Sequence, residues 1–448
     1  MRKLVNFLLF AISLFSCTAL SAQEAGKSSQ AQDSTLSGRW VVNCDFYGST
    51  LYFGLEIQQS GETITGKFDG DKFEGTVKGA DVHFLAKDEH GGSEAVKGTL
   101  RESSFAGPIT FTNGDDPTNA ETHSCNATKT PPRGAGTPQR HDFTPTIFYR
   151  QFSPLNKPVL TVSPGDAIHT TTVDAGGKDE KGVSRVLGGN PETGPFYIET
   201  ASPGDTVAIH FTRIRLNRDW AVSDDGVVDR ATDSGMAVKM KDGWKNVRWH
   251  LDLAKGTASP EKPAEHLANY SVPLRPMLGC VAVAAGSAQA PPGTGDSGRF
   301  GGNMDFNDIL EGSTVFLTVN VPGALIYVGD GHATQGDGEL NGNALETSMD
   351  VEFTVDVIPQ KHIPGPRVES ATHLMAMGLG GSLEDALRAA TANMSAWLED
   401  EYKLTPSEIA QVLGSAAEYK ISEVADRNAG IVLKINKERL KGLASAAK

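Results

Sequence analysis

Short runs in which apolar and polar residues alternate, separated by turns centred on glycine, follow one another between residues 37 and 129. Residues 51–57 (LYFGLEI), 63–68 (TITGKF) and 81–85 (DVHFL) are examples. A period of two residues places successive side chains on opposite faces of a strand. Regularly spaced strands of this length predict a small antiparallel β-barrel or β-sandwich over residues 37–129.

A segment rich in Pro and Gly, TPPRGAGTP at residues 130–138, interrupts this pattern and predicts a linker over residues 130–140. Beyond it, the tetrapeptide Ser-Pro-Gly-Asp occurs at residues 163–166 and again at 202–205, each time before an apolar run. A repeated turn and strand favours an antiparallel sandwich or barrel over a parallel sheet. We therefore predict a second, β-rich domain over residues 141–448.

The hydrophobic pattern changes to a helical period near the C-terminus. Ser382, with an acidic residue three positions later, predicts the start of a helix that runs to about Glu401. Thr405-Pro-Ser-Glu408 predicts the start of a second helix through about Tyr419, and residues 421–435 predict two strands across an Asn-Ala-Gly turn. The predicted fold class is α+β with β dominant: a sandwich- or barrel-type body with two C-terminal helices, preceded by a small antiparallel barrel or sandwich.

The N-terminus has the layout of a secretory signal peptide over residues 1–22, with two basic residues, an apolar run at residues 4–14 and then small residues. Residues 23–36 are rich in Ser, Gln and Ala and predict a flexible tether. We therefore expect an exported protein, periplasmic or secreted, whose mature chain has no transmembrane segment. The alternatives are an uncleaved anchor and a lipoprotein attached through Cys17, which the bulky Phe15 disfavours.

The chain has four cysteines, one of them in the predicted signal peptide. Cys44 and Cys125 bracket the first domain, and in an exported protein they predict a disulfide. Cys280 lies in the apolar run MLGCVAV and is predicted to pack in the interior. Its use as a catalytic nucleophile is an alternative, which the lack of a base or positive charge in that run disfavours.

Composition narrows the possible functions further. A chain of 448 residues with 39% hydrophobic and 21% charged residues is long enough for two or three domains with a sizeable core. Its 49 Gly and 23 Pro fit a fold with many turns. The formal net charge of -14, without a basic run that alternates with aromatic residues, excludes nucleic acid as a partner.

The stretch with the most reactive side chains is GDGHATQGDGE at residues 329–339. Its functional side chains are Asp330, His332, Gln335, Asp337 and Glu339, and Glu346 follows the stretch. Glycines permit tight turns here, and carboxylates beside an imidazole can hold a divalent cation, with zinc suited to mixed nitrogen and oxygen ligands. The alternative is a set of turn residues that bond their own backbone, with His332 as a local donor.

Three strings of residues together resemble one known family: GNPETGPFYIET at 189–200, GGNMD at 301–305, and the string at 329–339. They are similar to the acetamidase/formamidase family over roughly residues 141–448, and residues 37–129 lie outside the resemblance. The resemblance implies hydrolysis of small linear amides such as formamide and acetamide, with release of ammonia and a carboxylate. A water activated by a bound cation would attack the amide carbonyl.

Residues remote in sequence complete the predicted site. Asp174 follows a strand, Asn303 and Asp305 lie between glycines, and Asn190 and Glu192 precede Pro195 in the densest part of the resemblance. Loop residues at strand ends are common binding groups, although turn capping or a rigid turn is the alternative for each of them. The predicted metal ligands are Asp174, Asp330, His332 and Glu339; the predicted catalytic residues are Asp174, His332, Asp337 and Glu339; the predicted substrate-binding residues are Asn190, Glu192, Asn303 and Gln335.

Two other functions are open at this point. An exported form with an added β-domain could hydrolyse a larger amide, and a non-enzymatic β-rich envelope binding protein could keep the loop as a relic. The intact acidic residues and His332 of residues 329–339 argue against the relic. We also expect a homo-oligomer, and a first domain that is a separable accessory module whose removal leaves hydrolysis nearly unchanged.

Overall fold

The first eight strands form a closed antiparallel barrel in which buried and exposed side chains alternate. The structure is a computed structural model that describes residues 36–134, 136–240, 244–286 and 289–443. Each strand pairs with the next, and the last pairs with the first. The barrel strands are β1 Gly38–Phe46, β2 Ser49–Ser60, β3 Thr63–Phe68, β4 Asp71–Lys78, β5 Asp81–Lys87, β6 Ser93–Arg101, β7 Ser104–Thr112 and β8 Ala120–Lys129.

The inward-facing side chains of the barrel form its hydrophobic core, which includes Trp40, Phe68 and Phe84. Cys44 lies directly opposite Cys125 on the paired strands β1 and β8, and the two form the disulfide that the sequence predicted. The bridge therefore joins the first strand of the barrel to the last.

The predicted signal peptide at residues 1–22 lies outside the described residues, as does the predicted tether at 23–36 except for its last residue. Leu36 was predicted to belong to a flexible segment, which is wrong for this residue. Its side chain is 1% exposed in the barrel core, and its carbonyl accepts a hydrogen bond of 2.9 Å from Trp40 Nε1. Apolar burial and this bond hold Leu36 in the barrel.

The body is built from two mixed sheets that pack face to face, as the sequence predicted. The first sheet has the path β18-β17-β16-β15-β24-β23-β19-β21-β20, with β13 pairing β23, β10 and β11. Its strands are β10 Phe148–Tyr149, β11 Leu160–Val162, β13 Glu192–Ile198, β15 Trp220–Asp224, β16 Asn246–Asp252, β17 Thr257–Pro260, β18 Val272–Pro273, β19 Met277–Ala282, β20 Ser297–Gly298, β21 Gly301–Asn303, β23 Ile326–His332 and β24 Glu346–Thr347.

The second sheet has the order β28-β29-β27-β26-β22-β14-β25-β12-β9. Its strands are β9 Arg140–Asp142, β12 Ala167–Thr171, β14 Thr206–Leu216, β22 Thr314–Thr318, β25 Met349–Ile358, β26 Arg367–Glu369, β27 His373–Gly380, β28 Glu418–Ile421 and β29 Ala429–Asn436. Val207, Phe211 and Phe353 of this sheet share one core with Ile326 and Val328 of the first. The core therefore lies between the two sheets and supports the central strand β23.

Each Ser-Pro-Gly-Asp segment forms the same turn before a strand. The carboxylates of Asp166 and Asp205 accept hydrogen bonds from the backbone N–H of Ser163 and Ser202, at 3.1 and 2.9 Å. Asp residues commonly stabilise turns by such bonds to the backbone nearby. The sequence repeat therefore reflects two equivalent entries into the second sheet.

The described helices are α1 Ser234–Lys239, α2 Leu383–Tyr402 and α3 Pro406–Ala416, with three short 3-10 turns at Asp229–Ala231, Glu265–Leu267 and Lys437–Leu440. Ser382 and Thr405 cap α2 and α3 as predicted. The predicted end of α3 near Tyr419 is wrong, because residues 418–421 pair with β29 as β28. Residues 422–428 then connect these strands over a longer span than the predicted Asn-Ala-Gly turn.

None of the described helices is long and apolar enough to cross a membrane. Both C-terminal helices instead contribute to a hydrophobic cluster with strands β27 and β29, in which α2 supplies Met394 and Leu398 and α3 supplies Ile409. Burial of this apolar surface stabilises the outer side of the second sheet.

The barrel contacts the body through polar and apolar groups. The guanidinium of Arg39 on β1 forms an ion pair with Asp205, whose side chain is 1% exposed. On β2, Tyr52 packs against the cluster that contains Cys280 and Tyr327 in the body. Leu36 and the described residues that follow it accordingly form one compact unit. The predicted independence of the first domain stays a prediction, and these contacts define how it can be tested.

Replacing Arg39 by Ala removes the charged partner of Asp205, which still accepts backbone hydrogen bonds from Ser202 and Gln360. We expect a loss of about 1 to 3 kcal/mol in the free energy of unfolding, as for other hydrogen bonds to charged groups. Chemical denaturation followed by Trp fluorescence measures it. Arg101→Ala, at an exposed barrel position, is the control and should cost under about 0.5 kcal/mol. Equal losses in the two variants would contradict a stabilising contact between barrel and body.

Candidate metal centre

Three neighbouring strands of the first sheet bring one histidine and several carboxylates together. His332 is the last residue of β23, where it lies opposite Met277 of β19 and Glu346 of β24. Asp330 precedes it on the same strand with a φ of 51°, a left-handed conformation that turns the local backbone. The predicted loop at residues 329–339 therefore begins inside a central strand and leaves it after His332.

The imidazole of His332 is surrounded by carboxylates. Its Nε2 lies 3.2 Å from Asp330 Oδ2, 3.1 Å from Glu346 Oε1 and 3.9 Å from Asp305 Oδ1. The side chains of His332 and Asp305 are 0% exposed, and those of Asp330 and Glu346 are 2% and 10% exposed. An imidazole nitrogen and carboxylate oxygens thus converge on a space that is closed to solvent.

The other imidazole nitrogen is held by Gln335. His332 Nδ1 lies 2.9 Å from Gln335 Oε1, while Gln335 Nε2 donates to the carbonyls of Asp305 and Ser422 at 2.7 and 3.2 Å. Because the amide nitrogen of Gln335 has two acceptors, the orientation of the amide is fixed, and Oε1 accepts a hydrogen bond from Nδ1–H of His332. Nε2 is therefore free to offer its lone pair to a cation, the arrangement usual for histidine ligands of metals.

Glu339 joins the centre from the far end of the loop. One ligand atom each from Asp305, His332 and Glu339 lies within 4.8 Å of the others, and the same is true of Asp330, His332 and Glu346. Glu339 Oε1 also accepts a hydrogen bond of 2.9 Å from the backbone N–H of Ala344. These overlapping groups, both found among the described residues, share His332 and surround one region of space.

Several polar atoms of the centre have no hydrogen-bond partner although they are buried. They are Asp305 Oδ1, Asp330 Oδ1, His332 Nε2 and Glu346 Oε2. A buried polar atom without a partner is costly, so native proteins pair such atoms or bind an ion with them. Ligand bonds of about 2.1 Å in tetrahedral geometry separate the ligand atoms by roughly 3.4 Å, which matches the distances from His332 Nε2 to Asp330 and Glu346.

The backbone of β19 leaves room beside these groups. A Cβ atom at Gly279 would lie 2.4 Å from both Asp305 Oδ1 and Asp330 Oδ2 and 3.1 Å from His332 Cε1. Any side chain at this position would therefore displace the carboxylates. The residues of the centre fit a divalent cation.

The pKa values of the buried side chains in this centre are shifted by burial and by the neighbouring carboxylates. Burial and neighbouring carboxylates raise the pKa of Asp305 and Glu339 well above the ordinary range, and burial raises the pKa of Glu346 to about 8. Burial acts to lower the pKa of His332, but Glu346 and Asp330 outweigh it and raise that pKa well above the usual value. In the absence of a cation, protons therefore neutralise this cluster.

The structure brings together three of the four predicted metal ligands, Asp330, His332 and Glu339. The fourth, Asp174, is in neither ligand group; its carboxylate forms a buried ion pair of 2.7 Å with Arg218. Asp337, a predicted catalytic residue, is also outside both groups. Its side chain is 59% exposed and lies 3.2 Å from Lys420 Nζ, which places it on the surface side of the loop.

The predicted substrate-binding residues lie at different distances from the centre. Gln335 holds His332, and Asn303 donates a hydrogen bond of 2.6 Å to Asp305. Glu192 is fully buried on β13 against Gly329, where a Cβ would lie 2.1 Å from its Oε2, and its carboxyl lies next to the Cys280 thiol. Asn190 lies before β13 in a left-handed conformation with φ of 49°. Their roles toward a substrate stay predictions.

Sequence reasoning placed Glu346 and Asp305 near the site without naming them as ligands, and it missed Arg218 and Gly279. Glu346 follows the loop closely, so its position in the sequence was a usable signal. Gly279 and Arg218 carry no local signal, because their importance arises from strands that pair across long sequence distances.

Comparison with known proteins shows a likeness to one family over part of the chain. Residues 283–363 match the model of the Acetamidase/Formamidase family. A provisionally named formamidase of Schizosaccharomyces pombe and an acetamidase of Mycolicibacterium smegmatis are 46% and 42% identical over 59 residues, which is 13% of this chain and 14% of each relative. The matched part thus spans about a seventh of these curated relatives.

A solved structure extends the likeness to about two thirds of the chain. The predicted acetamidase/formamidase of Thermoanaerobacter tengcongensis superposes with a TM-score of 0.59 at 25% identity, over 68% of this chain and 98% of its own. The sequence match contains Asp305, Asp330, His332, Glu339 and Glu346. These findings confirm the resemblance to the acetamidase/formamidase family that was predicted from the sequence, and the β-dominant fold class.

Zinc binding at pH 7 should release at least about one proton, since burial raises the pKa of Glu346 to about 8 and its carboxyl must lose its proton to bind a cation. The apparent affinity for Zn²⁺ should accordingly rise between about pH 6 and pH 8. Isothermal titration calorimetry in two buffers of different ionisation enthalpy counts the protons. Glu346→Gln should release fewer, and proton-neutral binding by the unaltered protein would contradict this description of the centre.

Proposed function

We propose, from the match to the acetamidase/formamidase family and from the geometry around His332, that the protein is an exported hydrolase of small linear amides. It would release ammonia and a carboxylate. The observation that carries the proposal is the unpartnered Nε2 of His332, directed at buried carboxylates while Nδ1 is fixed by Gln335. This arrangement supports a metal-assisted hydrolase, because it could hold a cation in a site where an amide carbonyl would be polarised.

Asp330, His332 and Glu346 would hold the cation, which when bound lowers the pKa of a water and polarises the amide carbonyl. Asp305 and Glu339 would handle the protons. Their carboxyls lie close together near His332, and burial raises the pKa of both. Two crowded carboxyls share protons at neutral pH, so this pair can accept a proton from water and return it to the leaving nitrogen.

The buried environment supports this chemistry in a second way. Asp305, His332 and Glu339 are each at most 5% exposed, which excludes bulk water from the reacting groups. Electrostatic interactions with a substrate carbonyl are stronger in such surroundings than in water. A small amide, with few atoms beyond its carbonyl and nitrogen, suits a closed site of this kind.

A thiol mechanism through Cys280 is disfavoured by its surroundings. The thiol is buried and free, and burial together with the neighbouring Glu192 raises its pKa well above the ordinary value. A nucleophilic cysteine needs the opposite shift toward the thiolate. Cys280 packs among Phe152, Ala282 and Tyr327, as predicted for an interior residue.

The part of the proposal that concerns export rests on the N-terminal sequence and on the disulfide. Residues 1–22 have the features of a signal peptide, and the Cys44–Cys125 bridge fits an oxidising compartment. The barrel at Gly38–Lys129 lies outside the family match and would be an addition specific to this exported form.

Replacing His332 by Asn keeps a polar side chain of similar size but removes the nitrogen ligand. We expect at least a hundredfold loss in the rate of ammonia release from formamide and acetamide, because activation of water and proton transfer each contribute orders of magnitude. An ammonia assay of the mature protein loaded with Zn²⁺ measures it, with thermal unfolding of the same preparation to show that the variant is folded.

The matched control is His83→Asn, at an exposed position on barrel strand β5, which should keep the activity of the unaltered protein. Near-normal turnover in the His332 variant would overturn its catalytic role. Absence of turnover by the unaltered protein with either amide, with or without Zn²⁺, would refute the proposed substrates, and a panel of larger amides would then test the alternative substrate class.

A further inference from the structure

Arg218 is a buried arginine next to the candidate metal centre, and its guanidinium donates several hydrogen bonds. The side chain of Arg218 is 2% exposed. Its Nε donates to Thr347 Oγ1 at 2.8 Å and to the carbonyl of Trp220 at 3.0 Å, and its Nη1 donates to the carbonyl of Asp179 at 3.2 Å. Its Nη2 donates to Asp174 Oδ2 at 2.7 Å and to the carbonyl of Glu346 at 3.3 Å.

These bonds join segments that are distant in sequence. Asp174 and Asp179 belong to the loop after β12, Trp220 begins β15, and Glu346 and Thr347 form all of β24. A strand of two residues has few ladder bonds of its own; β24 pairs with β23 at Gly331 and His332 and with β15 at Val222. Arg218 therefore supplies a large share of the contacts that keep β24 in register with His332.

Asp174 fixes the orientation of this arginine. Its Oδ2 accepts from Arg218, and its Oδ1 accepts a hydrogen bond of 2.9 Å from the backbone N–H of Lys178, so both oxygens have a partner. The guanidinium also stacks on Trp220, with its carbon 3.4 Å from the ring centroid. Charge pairing and stacking leave Arg218 one orientation, in which its Nε and Nη2 donate to β24.

We propose that Arg218, held by Asp174, is a positioning residue that sets Glu346 at metal-ligand distance from His332. This inference rests on the proposed metal centre, and it gives Asp174 a role one step removed from the cation. Residues that orient metal ligands commonly affect metal affinity by 10- to 100-fold. A lysine at position 218 could not reproduce the role, because a single ammonium cannot reach Asp174, Thr347 and three carbonyls with planar geometry.

The test compares Zn²⁺ affinity across variants, measured by competition with a chelator under conditions where each variant is folded. We expect Arg218→Lys to bind Zn²⁺ about 10- to 100-fold more weakly than the unaltered protein. Asp174→Asn, which keeps an acceptor for Lys178 but loses the charge, should bind about 10-fold more weakly and provides the test if the Arg218 variant does not fold. Equal affinity in a folded variant would overturn the proposal.

The matched control is Arg367→Lys. Arg367 is also 2% exposed, donates to Asn393 at 2.9 Å and faces the ring of Trp397 at 5.0 Å, but it lies on the second sheet beside α2. Its replacement should lower the melting temperature without changing Zn²⁺ affinity. If Arg367→Lys weakened Zn²⁺ binding as much as Arg218→Lys, the effect would reflect general loosening and the positioning role would be wrong.

A double-variant cycle identifies the residue through which Arg218 acts. In a Glu346→Gln background, Arg218→Lys should weaken Zn²⁺ binding by less than about 3-fold, because the ligand it positions is already impaired. A full additional loss would contradict action through Glu346. Failure of the unaltered protein to bind Zn²⁺ at all would overturn the metal centre itself, whereas normal binding by the unaltered protein and by Arg218→Lys alike would overturn only this inference.

Discussion

The crowding of buried carboxylates around one imidazole is the constraint on which the rest of this structure depends. Asp305, Asp330, Glu339 and Glu346 are all buried near His332, and so many like charges can remain in a protein interior only with protons or a cation between them. Neighbouring features serve this arrangement: Gly279 leaves space on β19, and Gln335 fixes the imidazole. The candidate metal centre is thus a property of the sandwich interior as much as of the loop that carries its histidine.

The sheets supply the rigidity that this cluster needs. Every residue of β23 is buried, and its partners β19 and β24 place Gly279 and Glu346 beside Asp330 and His332. The left-handed conformations at Asp330 and Glu339 are costly for residues other than glycine, and they persist because packing on both sides determines them. Rigid elements hold catalytic groups more precisely than free loops, which fits the proposed hydrolysis of a small amide.

Local sequence patterns predicted those features that depend on neighbours in the chain. The alternation over the barrel, the caps at Ser382 and Thr405 and the Cys44–Cys125 pair all follow from short-range or compositional rules. The sequence of residues 329–339 identified the histidine as a candidate ligand. It did not show which of the carboxylates point inward, and Asp337 lies at the surface. Contacts made across the fold, such as that of Asp174 with Arg218, have no local signature and required the structure.

Anomalous scattering at the zinc absorption edge, from crystals of the protein grown with Zn²⁺, measures the occupancy and the ligands of the centre together. We expect one strong peak at about 2.0 to 2.2 Å from His332 Nε2 and from carboxylate oxygens of Asp330 and Glu346. A map without a peak there at saturating Zn²⁺, or with peaks confined to exposed carboxylates such as Asp337, would contradict the assignment of this buried cluster as a metal centre.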